Sequence, residues 1–350
     1  MRPTPLLADL WYCAIASPDL KPGRMQRRVL MGKPVLLGRS AKGKAFAMLD
    51  VCPHQGIPLS DGWFDGHEVT CRFHGWTFGC EGACSGIPSL TEDQQFDVTR
   101  IRVKTFPCEE AHDVVWVYLG DTDLPLPPLP EVPGIAGNRY FTTINRLTLP
   151  SHIDYGVVAL MDPAHVAYVH SSWWFRSTQT IRDKVKHFIP SALGYTMVSH
   201  TPAAKSLVYR LLGGMPTTEI RFLLPGIRIE HMRIGEQSVF TSLTCLTPVD
   251  EKTTQMLNTM YWCLPVLQWL APLARPFISL VSQRFLEQDR DIAAMQQVGL
   301  ATNPDLIVVM KDAGMPVKWY YDLKEEWRSS RAERREFTNP VREQTLRWRS

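Results

Sequence analysis

The 350-residue sequence predicts an α+β protein of two domains. A small antiparallel β domain is expected over residues 1–122, a proline-rich linker over 123–138, and a larger domain of strands and C-terminal helices over 139–350. Three observations predict this. A chain of this length holds about two domains. Its first third is built of short apolar runs broken by turn residues, the pattern of a small antiparallel domain. The remainder carries longer strand-like runs followed by one extended helix-compatible stretch, the pattern of an α+β domain.

In the first domain, Val35-Leu-Leu-Gly38 and Lys44-Ala-Phe-Ala-Met48 read as short strands and Val114-Val-Trp-Val-Tyr-Leu119 as a buried one. Leu124-Pro-Leu-Pro-Pro-Leu-Pro130, with Pro133-Gly134, sustains neither a ladder nor a helix, because proline lacks the amide donor and fixes φ. Beyond it, Thr217 to Leu224, Phe240 to Leu246 and Gln255 to Cys263 read as strands, and residues 277–298 as a helix. The stretch Tyr261 to Val281 is apolar over a membrane-spanning length, but Pro265, Gln268, Pro272, Arg275 and Pro276 interrupt it. It is read as pocket lining in preference to contact with a bilayer surface. Basic residues from Lys318 to Arg349 alternate with Glu and Asp, which predicts a solvated helical face.

The formal net charge is +3, too near balance to give an electrostatic case for nucleic-acid binding. Eight cysteines and no signal peptide fit a reducing cytoplasm. Cys80 and Cys84 match no strong metal spacing and are read as buried or free thiols. No Gly-x-Gly-x-x-Gly or other nucleotide signature is present, so flavin or nicotinamide chemistry would belong to a partner.

Two short stretches carry the chemistry of the first domain: Cys52-Pro-His54-Gln-Gly and Cys71-Arg-Phe-His74-Gly-Trp. Each pairs one thiolate with one imidazole on a tight loop. That is the ligand set of a [2Fe–2S] cluster whose two irons are held by two Cys and two His respectively. A tetrahedral zinc site uses the same residue types, but usually with its cysteines together and its histidines together. Gly56 and Gly75 would let backbone amides approach the cluster sulfurs.

A second constellation is Asp162-Pro-Ala-His165-Val-Ala-Tyr-Val-His170. Two histidines and a carboxylate from elsewhere would form a facial triad with open positions on Fe(II); the bland alternative is two unrelated histidines. Residues five apart on a regular helix sit about 140° from each other, so a shared metal requires the helix to widen or end there. Asp162, followed by proline, also suits a helix boundary.

Cys52-x-His54 with Cys71-x-x-His74-Gly75-Trp76 resembles the Rieske signature. Ile57 and Phe73 occupy the places where respiratory-chain Rieske proteins carry an extra cysteine, so the chain looks like the oxygenase and ferredoxin branch. Gln55 stands where these oxygenases often have Arg, and Arg72 where they often have Pro. Asp-x-x-His-x₄-His likewise resembles the mononuclear iron motif of Rieske non-haem iron oxygenases, with Ala159 in place of a frequent Asn.

The resemblance implies a helix-grip (START-like) catalytic domain, and ligation of the mononuclear iron by His165, His170 and an acidic residue within Phe285 to Gln297. Asp289 is the candidate, with Glu287 and Asp291 as alternatives. It implies that Asp162 bridges a cluster histidine of one subunit and an iron-bound histidine of its neighbour in a head-to-tail homotrimer. The implied activity is that of a terminal oxygenase, using O₂ and electrons from an NAD(P)H-dependent reductase. Trp173, Trp174 and Phe175, with the apolar segment before Asp289, favour a bulky hydrophobic substrate, steroid, sterol-like or polycyclic, for hydroxylation or oxidative demethylation. A smaller aromatic substrate is the alternative. A cluster-bearing electron carrier without a second iron is the rival of another class.

Overall fold

The computed structural model describes residues 2–121, 123–170, 181–201, 214–263, 271–303 and 308–350. The chain divides into two compact units, Ala8–Leu129 and a larger one that joins Met1–Leu7 to Pro130–Ser350.

The smaller unit contains strands β1 (Leu10–Ala16), β2 (Arg24–Leu30), β3 (Lys33–Arg39), β4 (Ala45–Leu49), β5 (Trp63–Phe64), β6 (Glu68–Thr70), β7 (Thr77–Gly79), β8 (Cys84–Gly86), β9 (Thr105–Phe106), β10 (Cys108–Ala111) and β11 (Val114–Leu119). They form antiparallel sheets in the orders β1-β11-β10, β2-β3-β4-β9 and β5-β6-β7-β8. The continuous apolar run of β11 fits its central place, since every one of its residues is buried. Leu36, Met48, Leu59, Val69 and Phe78 form a core that also contains Cys52 and Cys71. Arg39 fastens β3 to β10 by a forked bond to Glu110, at 2.6 and 2.9 Å.

The larger unit is built on strands β12 (Phe141–Leu149), β13 (Asp183–Ser191), β14 (Gly194–His200), β15 (Pro216–Leu223), β16 (Ile227–Ile234), β17 (Gln237–Pro248), β18 (Thr254–Trp262) and β19 (Gln344–Arg349). They make one antiparallel sheet in the order β12-β18-β17-β16-β15-β14-β13-β19. Its described helices are α1 (Ile153–Met161), α2 (Val166–Val169), α3 (Ala271–Thr302) and α4 (Met315–Ala332).

Cross-strand partners point to the same face of a sheet. One row therefore runs Tyr195, Phe222, Arg228, Thr244, Asn258, Asn145. α4 covers one end of it, packing Trp319 at a tilt on Tyr195 and Tyr320 edge-to-face on Phe222. α3 covers the other, where Ser279 Oγ donates to Asn145 Oδ1 at 2.9 Å.

α1 is anchored by a buried acid, Asp154. Its Oδ1 accepts from Lys324 Nζ and from the Tyr320 hydroxyl at 2.6 Å. Its Oδ2 accepts from the backbone amide and hydroxyl of Thr4 at 2.8 and 3.0 Å. Lys324 corrects the expectation of a solvated tail: it is 2% exposed, because α4 carries an apolar stripe of Trp319, Tyr320, Leu323 and Trp327 that faces inward. Residues 344–349 correct it again by forming β19, paired with β13.

The predicted helix is longer than expected. Pro272 falls in its first described turn, where amides have no intrahelical partner to lose, whereas Pro276 lies inside the helix. Leu273, Phe277 and Leu280 are 77%, 68% and 57% exposed, and residues 264–270 of the same apolar segment lie outside the described residues. Among the described residues no helix is long and apolar enough to cross a membrane.

Candidate metal centres

The two cysteine–histidine loops of the smaller unit are the same turn made twice. In one, Cys52 N donates to Ile57 O (2.8 Å) and Gly56 N to Cys52 O (2.9 Å). In the other, Cys71 N donates to Trp76 O (2.8 Å) and Gly75 N to Cys71 O (3.0 Å). Gly56 and Gly75 close these turns with φ of +77° and +71°, a conformation that favours glycine. Their own amides serve the cysteine carbonyls. The amides that reach the Cys52 sulfur are those of His54 and Gln55.

Cys52 and Cys71 are both buried, with their thiols in hydrogen-bond contact, whereas His54 and His74 are exposed, their rings 4.5 Å apart. Trp76 lies flat on His54, at 4.4 Å and 5°. Burial pushes the Cys52 thiol up to about 11, so a metal is needed to hold it as thiolate. Sulfurs pair with each other and imidazoles with each other, and the four do not make one compact ligand set. A single tetrahedral zinc would need such a set; a two-iron cluster needs two pairs, and the arrangement fits it. Cys80 and Cys84 are free thiols.

In the larger unit, α1 ends at Asp162, whose Oδ1 accepts from Ala164 N at 2.8 Å. The chain then makes the single turn of α2, with His165 at its start and His170 at its end. The helix therefore stops where the spacing requires it to, and the imidazole rings come to 5.5 Å at 70°.

α3 completes the site with three residues on one helical face. Phe285 stacks on His170 at 3.5 Å, and Gln288 Oε1 lies 3.0 Å from His170 Nδ1. Asp289 Oδ1 lies 3.4 Å from His170 Nε2 and 3.8 Å from His165 Nε2. Glu287 and Asp291 turn elsewhere, to Arg284 (3.2 Å) and Arg290 (2.8 Å). Gln288 accepts the Nδ1 proton of His170, which leaves Nε2 with its lone pair toward Asp289. Sequence reasoning missed Gln288 and Phe285, although their spacing of one and four residues before Asp289 places them on its face.

The electrostatics fit a metal. Burial holds the His170 imidazole down at about 4, hence neutral. Burial also lifts the Asp289 carboxyl to about 7, a rise that nearby Arg228 only partly offsets. Two neutral imidazoles and a desolvated carboxylate, with donor atoms all within 4.8 Å of one another, are the donor set of a divalent iron with open positions. Trp173, Trp174 and Phe175 lie outside the described residues.

Residues 10–107 match the Rieske [2Fe-2S] domain family. The chain is similar to a 4beta-methylsterol monooxygenase of Methylococcus capsulatus, 26% identical over 87% of this chain and 84% of that protein. It is also similar to the oxygenase component of chloroacetanilide N-alkylformylase from Rhizorhabdus wittichii, 33% identical over 47% of each, so it spans less than half of that relative. Among solved structures, dicamba monooxygenase bound to dicamba superimposes with a TM-score of 0.76 over 94% of this chain and 100% of that one, at 20% identity, a likeness of fold. Residues 10–107 therefore belong to the Rieske [2Fe-2S] domain family, and the two-histidine, one-carboxylate centre beyond them fits a Rieske non-haem iron oxygenase.

Proposed function

We propose that this protein is the terminal oxygenase of a multicomponent system. It takes electrons from a separate NAD(P)H-dependent reductase and uses O₂ to hydroxylate or oxidatively demethylate a bulky hydrophobic substrate, sterol-like or polycyclic. The observation that carries this reading is the trio His165, His170 and Asp289, whose donor atoms all lie within 4.8 Å of one another. The methylsterol monooxygenase, similar over most of both chains, supports the substrate class.

When bound, the [2Fe–2S] cluster supplies electrons and the mononuclear Fe(II) supplies O₂ chemistry. Cys52, Cys71, His54 and His74 hold the cluster, and the exposed imidazoles offer it a route to a partner. His165, His170 and Asp289 hold the mononuclear iron. Gln288 keeps the proton on His170 Nδ1, and Phe285 fixes the ring. Asp162 bridges to a cluster histidine of the neighbouring subunit in a head-to-tail homotrimer.

Iron and acid-labile sulfide analysis, with reductase-coupled O₂ uptake on steroid and aromatic panels, tests the reading. About three iron to two sulfide per chain, with uptake on steroids, is the expected result. Two to two would make the protein an electron carrier, and uptake on small aromatics alone would move the substrate class.

A further inference from the structure

The row across the large sheet contains an unsatisfied pair. Asn145 and Asn258 stand directly opposite each other on β12 and β18 and are 2% and 3% exposed. Asn258 Nδ2 donates to Ser242 Oγ (2.9 Å) and Thr244 Oγ1 (2.8 Å), which fixes the amide plane. Asn145 Oδ1 accepts from Ser279, and among the described residues neither its Nδ2 nor Asn258 Oδ1 has a partner. One buried acceptor and one buried donor are thus held side by side, on side chains whose Cβ atoms are about 5 Å apart. Turning both amides over exchanges the roles and leaves the same complement.

Buried amide atoms are rarely left unpaired, so a group that both donates and accepts is the natural complement. The pair lies on the face that α3 covers, and two rulers place it relative to Asp289. Ser279, which touches Asn145, precedes Asp289 by ten residues on α3, about 15 Å along the axis. Across the sheet, two and three strand spacings separate Asn258 and Asn145 from Arg228, about 10 and 14 Å. Arg228 is close enough to Asp289 to counter part of the effect of its burial. On the same face one neighbouring row carries Leu147, Met256 and Leu246, and the other mixes Met260 with Thr143, Ser242 and Glu230 before the Phe240–Trp262 pair at 4.7 Å.

We propose that Asn145 and Asn258 form a polar anchor for the substrate. It takes an alcohol hydroxyl, which donates to Asn258 Oδ1 and accepts from Asn145 Nδ2, on an otherwise apolar molecule whose oxidised carbon lies about 10–15 Å away. This deepens the reading of a bulky hydrophobic substrate and rests on it.

The test is binding of androstanol, androstanone and androstane to the fully metallated protein by equilibrium dialysis, a series that keeps the ring system and changes only the terminal oxygen. Androstanol should bind at least about tenfold tighter than androstane, with the ketone between them because it only accepts. Asn258→Leu, similar in size, should bring the alcohol to within about twofold of the hydrocarbon and leave hydrocarbon binding unchanged. Asn258→Asp, which keeps an acceptor oxygen, should retain the preference. Equal wild-type affinity for alcohol and hydrocarbon would mean that ordered water alone fills the pair; it overturns the anchor, whatever the variants do, and leaves the bulky-substrate reading standing. An alcohol preference that survives Asn258→Leu also overturns it. No steroid binding at all, with the third iron present, overturns both.

Discussion

The cluster loops and the trio of His165, His170 and Asp289, both proposed to hold iron, are fixed by opposite means. The loops draw their four side chains from residues 52–74 and fix them with backbone hydrogen bonds, repeated turn for turn, while the imidazoles stay exposed. The trio draws its side chains from residues 165–289 and fixes them with other side chains: a stacked phenyl, an amide oxygen and a helix face. Local backbone geometry tolerates change around it, whereas a site made by packing depends on each packed neighbour. The first centre should therefore survive substitutions in the larger unit, and the second should respond to residues that never touch iron.

The widest separation of the two centres is expected from His165→Ala, His170→Ala and Asp289→Ala. Each should abolish product formation and lose the mononuclear iron while cluster absorbance and sulfide content stay at wild-type values. Asp291→Ala should lose neither, and iron loss there with retention in Asp289→Ala would reverse the ligand choice. Next, His54→Cys adds negative charge to the cluster and should lower its potential by on the order of a hundred millivolts or more, with loss of the Rieske-type EPR signal. A wild-type spectrum would break the assignment of the loops.

Asp162→Asn preserves an oxygen that can accept from Ala164 N, so both metals should load. Single-turnover oxidation of the reduced cluster should nevertheless slow about 100-fold; a wild-type rate would reduce Asp162 to a helix boundary. The smallest effect should come from Gln288→Ala, which weakens mononuclear iron binding about 10-fold without touching the cluster. Gln288→Glu keeps an acceptor for His170 Nδ1 and should restore the affinity. Iron titration followed by metal analysis reads both.

The cluster loops were legible because thiolate, imidazole and glycine recur within a few residues of each other. The break between His165 and His170 was legible too, from the angle that five residues subtend. The choice of Asp289 over Glu287 and Asp291 came from the family resemblance alone, since all three are acids on one helix, and the arrangement of α3 against His170 separates them. Lys324 misled for a related reason. In a run of alternating charges it reads as solvated, and its burial depends on Asp154, 170 residues away. The Asn145–Asn258 pairing needed the register of two strands that lie far apart in sequence.

The carboxylate of Asp154 also acts as a clock for the maturation of the larger unit. It joins Thr4, 150 residues before it, to Lys324, 170 residues after it, so the opening residues of the chain are held by its last long helix. Contacts of such separation close large loops and form late. At about 5–20 residues per second of translation, roughly 10–30 s pass between the emergence of Asp154 and that of Lys324. Throughout that interval an acid destined for burial lacks its counter-charge, and the N-terminal segment has nowhere to dock. The smaller unit contains none of these partners, whereas the larger one must wait until α4 has left the ribosome.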